Sequence, residues 1–481
     1  MGKPGRYETV IGLEVHAQLL TDSKMFCGCS TDYQDSPPNT CVCPVCLGMP
    51  GTLPVANRRA IECVMTTALA LHCSLPEHTR FDRKNYFYPD LMKGYQISQY
   101  DAPIGLGGWM DIEVDGETKR IGITRVHLEE DVAKSFHMDG FSLVDVNRSG
   151  VPLMETVSEP DMRSPEEARE YLVKLRTLLR YLGVSTGNME EGSFRCDANI
   201  SLRLFGAADL GAKVEVKNMN SFRGVYRALK YEQERQIEVL EGGGKLRQET
   251  RGWLDAEGVT VAQRSKEYAE DYRYFPEPDL PPLVLERAWV DEIASQLPEL
   301  PDERHARFVN DFGVSAYDAG VLISSRPMAD FFDRCVEMGG REHGKTICNW
   351  LLGDVSRLLN TDGVEISGCS LKPENVVALV DMVNKGAVSG PAAKSVLDEM
   401  YSSGKSPSQV VEEKNLGQLS SSDELVSVIR QVIADNPKAV SDFRAGKAQS
   451  VGFLTGQVMK QTRGRANPGL TRELLEKELG Q

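Results

Sequence analysis

The sequence predicts an α+β protein: an antiparallel β-rich cradle domain followed by an all-helical domain and a small helical tail. Three observations carry this expectation. Residues from about 7 to 285 hold short strand-like runs, several of which alternate apolar and polar side chains with period two. From about 290 onward the apolar residues recur with helical spacing. Between and after these regions, prolines cluster at 276–282, and Ser and Gly at 401–407. The expected boundaries are 1–289 for the cradle, 290–404 for the helical domain and 405–481 for the tail.

Tyr7 to Leu20 reads as the first strand. Within it, Glu14, His16 and Gln18 share one face, while Leu13 and Val15 share the other. Five of the eleven cysteines follow within twenty residues, as Cys27-Gly-Cys29 and Cys41-Val-Cys43-Pro-Val-Cys46. Taken as Cys27, Cys29, Cys43 and Cys46, the two close pairs can bring four thiolates to the corners of a tetrahedron, as Zn²⁺ prefers. Four thiolates close the shell, so the expected zinc is structural, and Cys41 is left over. The remaining cysteines are scattered, as in a reduced intracellular protein.

Asp111–Asp115 and Thr118–His127 flank a turn at Gly116 and predict a hairpin, whereas the glycines from 105 to 108 suggest a turn. Ser164-Pro165-Glu166-Glu167 opens a helix with an N-cap, a proline in the first turn and a capping-box glutamate, and Gly183 ends it. Two further strands carry charge with period two. Arg195, Asp197, Asn199 and Ser201 lie on one face of the first, and Glu215 and Lys217 on one face of the second, with Asn218 next in the chain. A second helix spans about 221–240 and stops at three glycines. Lys372-Pro373-Glu374 opens a helix in the next domain.

A solvated sheet face shows the same alternation. The content differs here: carboxylates, one imidazole and amides suit Mg²⁺, and Arg and Lys beside them suit phosphate. With the acids at Glu129 and Glu130, the set reads as an ATP–Mg²⁺ phosphoryl-transfer site. No Walker-type loop and no nucleophile elbow occur. Two stretches, 83–90 and 271–279, interleave aromatic and basic residues, which suits either a core cluster or stacking on a base.

The net charge of −15 argues against a surface that wraps nucleic acid throughout. Yet Phe443 to Arg472 holds six basic residues and no acid, among them Lys460, Arg463, Arg465 and Arg472, which predicts phosphate contact. No apolar run is long enough for a membrane span and the start lacks a signal core, so a cytoplasmic protein is expected.

These stretches also carry a resemblance. Tyr7–His16, Arg83–Asp90, His127–Asp131, Glu190–Asn199, Lys213–Ser221, Asp271–Asp279 and Gly452–Lys460 resemble the B subunits of the tRNA-dependent amidotransferases, the GatB family, across nearly the whole chain. The resemblance implies ATP- and Mg²⁺-dependent phosphorylation of the side-chain carboxylate of misacylated Glu-tRNA(Gln) or Asp-tRNA(Asn). Ammonia from the A subunit, an amidase, then displaces the phosphate, and the small C subunit ties the heterotrimer together. It implies a cradle, a helical domain and a tRNA-holding tail. It also implies that His16 and one of Glu129 and Glu130 hold the metal, with Glu14 beside them. Strand phase pairs Glu129 with His127, while the resemblance favours the second acid, so both stay candidates. Asp197 and Glu215 become further acids of the metal and ammonia path. Arg195, Lys217 and Asn218 would meet phosphate or the aminoacyl end. The competing expectation is a non-catalytic, zinc-containing protein that only binds tRNA or serves as an adaptor.

Overall fold

The computed structural model describes residues 6–263, 272–417, 422–444, 449–462 and 465–480. The chain forms two compact units, Met1–Leu300 and Pro301–Gln481.

The first unit begins with strand β1 (Tyr7–Gln18), the cysteine loop and helix α1 (Arg58–Ala70). Short strands β2 (His78–Thr79), β3 (Asp82–Asn85) and β4 (Tyr95–Ser98) follow. A long hairpin, β5 (Gly105–Val114) and β6 (Glu117–Glu130), and a short one, β7 (Lys134–Met138) and β8 (Phe141–Asp145), lead to β9 (Pro152–Ser158). Then come α2 (Pro165–Tyr181), β10 (Phe194–Leu204), β11 (Val214–Lys217), α3 (Phe222–Glu241), β12 (Glu249–Leu254), β13 (Val259–Ala262), β14 (Phe275–Pro276), β15 (Leu283–Val284) and α4 (Arg287–Ser295).

Eight strands make one sheet in the order β13-β12-β11-β10-β1-β9-β6-β5. Its neighbours are antiparallel, except that β11 and β12 run parallel, joined through α3. Two strands separated by a long helix cannot close as a hairpin, so a crossover pair is the natural result.

One face of the sheet is apolar. Leu13, Val15 and Ala17 of β1, Cys196, Ala198 and Ile200 of β10, and Val214 and Val216 of β11 are buried in one core with Leu172, Leu175 and Leu179 of α2 and Val225 and Leu229 of α3. The helices therefore cover that face and leave the polar face to do other work. Ser164 caps α2 by accepting from Glu167 N at 3.1 Å, worth about 1 kcal/mol. The capping-box reading needs one change: the Glu167 carboxylate accepts from Arg163 N at 2.7 Å, one residue before the cap.

The expected turn at the glycines is instead the start of β5. A Cβ at Gly105 would lie 2.7 Å from Ala68 Cβ, and one at Gly108 would lie 2.3 Å from Leu71 O. Those glycines let α1 lie against the strand. The β5–β6 turn is made by Asp115 and Gly116, both at positive φ, as a two-residue hairpin requires.

In the second unit, helices run from Pro301–Phe312 to Pro468–Leu479. Residues 425–479 hold their own apolar cluster, built on Leu425, Ile429, Leu454, Val458 and Leu475.

Candidate active site and metal centres

The cysteine loop brings four sulfurs together. Cys27, Cys29, Cys43 and Cys46 each offer Sγ, and these atoms lie within 4.8 Å of one another. Ligands about 2.3 Å from a shared Zn²⁺ would be about 3.8 Å apart at tetrahedral angles. The Cys43–Cys46 pair is 3.9 Å apart, and all eleven cysteines are free. Cys27, Cys29 and Cys46 do not titrate alike. A hydrogen bond with Cys27 is the main cause that brings Cys46 down to about 5. The same bond pushes Cys27 up, and burial raises Cys29 to about 11. Thiolates this close need a cation before all can ionise, so the donor set fits zinc. Cys41 stays outside the cluster: its Sγ faces Asp32 O at 4.0 Å and its amide donates to Asn147 Oδ1 at 2.8 Å.

The polar face of the sheet holds a second cluster. In register, His16 of β1 lies opposite Glu155 of β9, which also lies opposite His127 of β6. The sheet thereby stacks three strands of ligand-type side chains side by side. His16 Nε2 is 3.0 Å from Glu155 Oε2 and 3.9 Å from Glu129 Oε2. His127 Nε2 is 3.2 Å from Glu129 Oε1 and 3.7 Å from Glu155 Oε2. His16, Glu129 and Glu155 offer ligand atoms within 4.8 Å of one another, a set that fits one divalent cation.

A bulge makes this possible. On β6 the register with β9 shifts between Ile123 and Arg125. Ile121 and Ile123 face the core before it, and Val126 and Leu128 face the core after it. Without the extra residue, His127 and Glu129 would point into the core.

Electrostatics match the geometry. Burial opposes charge on Glu129, yet His127 and Lys84 hold its pKa down at about 2 despite the neighbouring Glu155. Burial likewise opposes ionisation of Glu155, and His127, His16 and Lys84 outweigh it, leaving its pKa well below the usual carboxylate value. Burial would lower the pKa of His16, but Glu155 and Glu129 raise it. Ser98 Oγ donates to Glu129 at 2.7 Å and Gln96 Nε2 at 3.2 Å. Three polar atoms around the site, His127 Nδ1, Arg125 Nε and Asn199 Oδ1, are buried without a hydrogen-bond partner among the described residues, which suits a site built to receive a ligand.

The other sequence-derived residues spread outward from this cluster. Glu14 accepts from Asn199 Nδ2 at 3.0 Å. Burial, then the charges of Glu155 and Asp197, raise the Glu14 pKa. Asp197 and Glu215 share Lys217, at 2.7 and 3.1 Å. Asn218 follows at φ 65° and is exposed. Arg195 pairs with buried Asp131 at 3.1 Å, which also accepts from Gln18 Nε2 at 2.8 Å. Glu130 is placed elsewhere. It accepts from Ile97 N at 2.9 Å and pairs with Lys93, because adjacent strand residues point to opposite faces.

Glu155 and Lys84 were missed as site residues in the sequence. The available signal for Glu155 was a lone acid in the apolar strand Pro152–Val157. Lys84 lay inside an aromatic–basic stretch, and the two such stretches meet: Phe275 of β14 pairs with Arg83 of β3. Arg83 is engaged by Glu277 at 2.7 Å and Asp279 at 3.0 Å. Lys84 Nζ lies over the Tyr272 ring at 4.8 Å, and Tyr274 stacks on Tyr100 at 4.2 Å. Asp271, the first residue of its stretch, lies outside the described residues.

Of the basic tail residues, Lys460 is exposed at the end of the helix Gln449–Gln461. Arg465 donates to Thr462 O at 3.3 Å and reaches Asn415, while Arg472 meets Glu476 at 3.1 Å. Arg463 lies outside the described residues.

Comparison with known proteins agrees along nearly the full length. Residues 9–291 match the GatB/GatE catalytic domain and residues 330–479 the GatB domain. A protein of Dehalococcoides mccartyi strain CBDB1 is 56% identical over 487 residues, covering 98% of this chain and 99% of its own. Relatives from Moorella thermoacetica (54% identical, 98% of this chain and 100% of its own) and Carboxydothermus hydrogenoformans (52%, 98% and 99%) are equally extensive. All three are named as the B subunit of aspartyl/glutamyl-tRNA(Asn/Gln) amidotransferase. Two matching domains and relatives of this extent establish that the chain belongs to the GatB family of amidotransferase B subunits.

Proposed function

We propose that the chain converts misacylated Glu-tRNA(Gln), Asp-tRNA(Asn) or both to Gln-tRNA(Gln) and Asn-tRNA(Asn). In this reading it phosphorylates the side-chain carboxylate with ATP and then amidates it with ammonia from the glutaminase, the A subunit. The small C subunit holds the complex together, in the cytoplasm. The observation that supports this reading is the convergence of His16, Glu129 and Glu155 on the polar face of the sheet of a GatB-family chain.

Mg²⁺ bound by His16, Glu129 and Glu155 would supply the charge that draws phosphate oxygens toward the carboxylate. His127 and Ser98 orient Glu129 by hydrogen bonds. Lys84 offsets their negative charge from the aromatic side. Arg195 and Lys217 present fixed cations toward phosphate or the aminoacyl end, with Asn199, Glu14, Asp197, Glu215 and Asn218 around them. Glu130 supports β4 through Ile97 and Lys93. Cys27, Cys29, Cys43 and Cys46 would hold Zn²⁺, which would brace the loop. Residues 1–289 form the catalytic cradle, 290–404 a helical domain, and 405–481 a tail that meets tRNA through Lys460, Arg463, Arg465 and Arg472.

The test is His16→Ala in a complex reconstituted with the partner proteins. ATP-dependent activation of Glu-tRNA(Gln) should fall by about 100-fold or more, while tRNA binding persists. Undiminished activation would leave a non-catalytic tRNA-binding role for this chain.

A further inference from the structure

A lysine is buried inside the cysteine loop with no acid beside it. Lys24 is 1% exposed, and its Nζ donates to the Cys41 carbonyl oxygen at 2.8 Å. Among the described residues no carboxylate pairs with it. Its backbone amide donates to Cys29 O at 2.9 Å. A Cβ built on Gly150 would meet Cys46 Cβ and Lys24 Cδ, each at 3.6 Å, so the lysine and a cluster cysteine converge over that glycine. Isolated buried ammonium groups are costly, and one neutral carbonyl is poor compensation. The negative charge within reach belongs to the thiolates. Four of them around one Zn²⁺ leave two negative charges in a partly buried loop.

We propose that Lys24 is the built-in counter-charge of the cysteine-held metal, offsetting one of those two charges and so raising the affinity of the loop for the ion. The inference rests on the reading that Cys27, Cys29, Cys43 and Cys46 hold zinc. It assigns Lys24 a role separate from the acidic site on the sheet. Its structural consequence is a change of sign. With metal bound the ammonium stabilises the loop; with metal removed it is an unpaired buried charge that destabilises the loop.

The experiment uses the full chain, Co²⁺ as the probe and a competing chelator, read by thiolate-to-cobalt absorption. Lys24→Met and Lys24→Gln should each weaken Co²⁺ binding by at least about 10-fold, whereas Lys24→Arg should stay within about 3-fold of the parent protein. Lys24→Gln keeps an N–H donor for Cys41 O, so it separates charge from hydrogen bonding and also serves if Lys24→Met folds poorly. In thermal melts, stripped Lys24→Met should be at least as stable as the stripped parent, and the loaded variant less stable than the loaded parent. Parent-like cobalt affinity in Lys24→Gln would overturn the counter-charge role while leaving the metal site intact. A parent protein that shows no thiolate-to-cobalt band would overturn the zinc reading itself, and this inference with it.

Discussion

Single side chains in the sheet site are held by hydrogen bonds that can be removed one at a time. Ser98 Oγ donates to Glu129 at 2.7 Å from β4, outside the strands that carry the candidate ligands. Removing it leaves Glu129 in place but less firmly oriented. Ser98→Ala should raise the Mg²⁺ concentration for half-maximal ADP formation by about 10-fold, with the rate at saturating Mg²⁺ little changed. A Mg²⁺ titration of the reconstituted complex reads this directly. Residues at this scale were only partly legible in the sequence. Glu14, His16, Arg195, Asp197 and Glu215 could be found because each alternates with apolar neighbours. Glu155 shows in the sequence only as a lone acid in an apolar run, because its partners lie on β1 and β6, and register between distant strands is not written in either one.

At the scale of elements, α3 is tied to the sheet edge by a buried carboxylate. Glu232 is fully buried and meets Arg235 at 2.8 Å, Arg251 at 3.0 Å and Gln236 at 3.1 Å. Burial opposes its charge, but Arg235, Thr260 and Gln236 outweigh it and lower its pKa below the ordinary 4.5. The unfolded chain therefore binds the proton more readily. The resulting stability is fully present above pH 4.5 and is lost as pH falls through the depressed folded value. Glu232→Gln should cost about 3 kcal/mol at pH 7 in urea unfolding, and the difference from the parent should shrink in acid. The cysteine loop is a second such tie. Asn147 bonds both Cys41 N and Pro37 O, just before β9. Chelation should expose 30–45 to protease first, while the far-ultraviolet signal of the sheet persists.

At the scale of the whole molecule, the sheet that carries the candidate site and the basic C-terminal segment belong to separate compact units. The change from strand to helix near 290 was readable because the apolar period itself changes. The tail was less so: Phe443–Arg472 contains no acid, yet Arg472 meets Glu476 one turn further on. Such i,i+4 pairs lie outside a window drawn on charge alone. Lys460→Ala with Arg465→Ala should weaken tRNA binding and lower the slope of log K against log salt by up to about 2, about 1 for each phosphate no longer met. Equal slopes would assign tRNA binding to another surface. The central claim is that the polar face of the sheet performs phosphoryl transfer, and Glu155 tests it most directly because it faces both His16 and His127. ADP release dependent on Glu-tRNA(Gln), measured with the reconstituted complex and saturating ammonia, should fall by about 100-fold or more in Glu155→Gln with tRNA affinity unchanged. A parent-like rate in that variant would contradict the account.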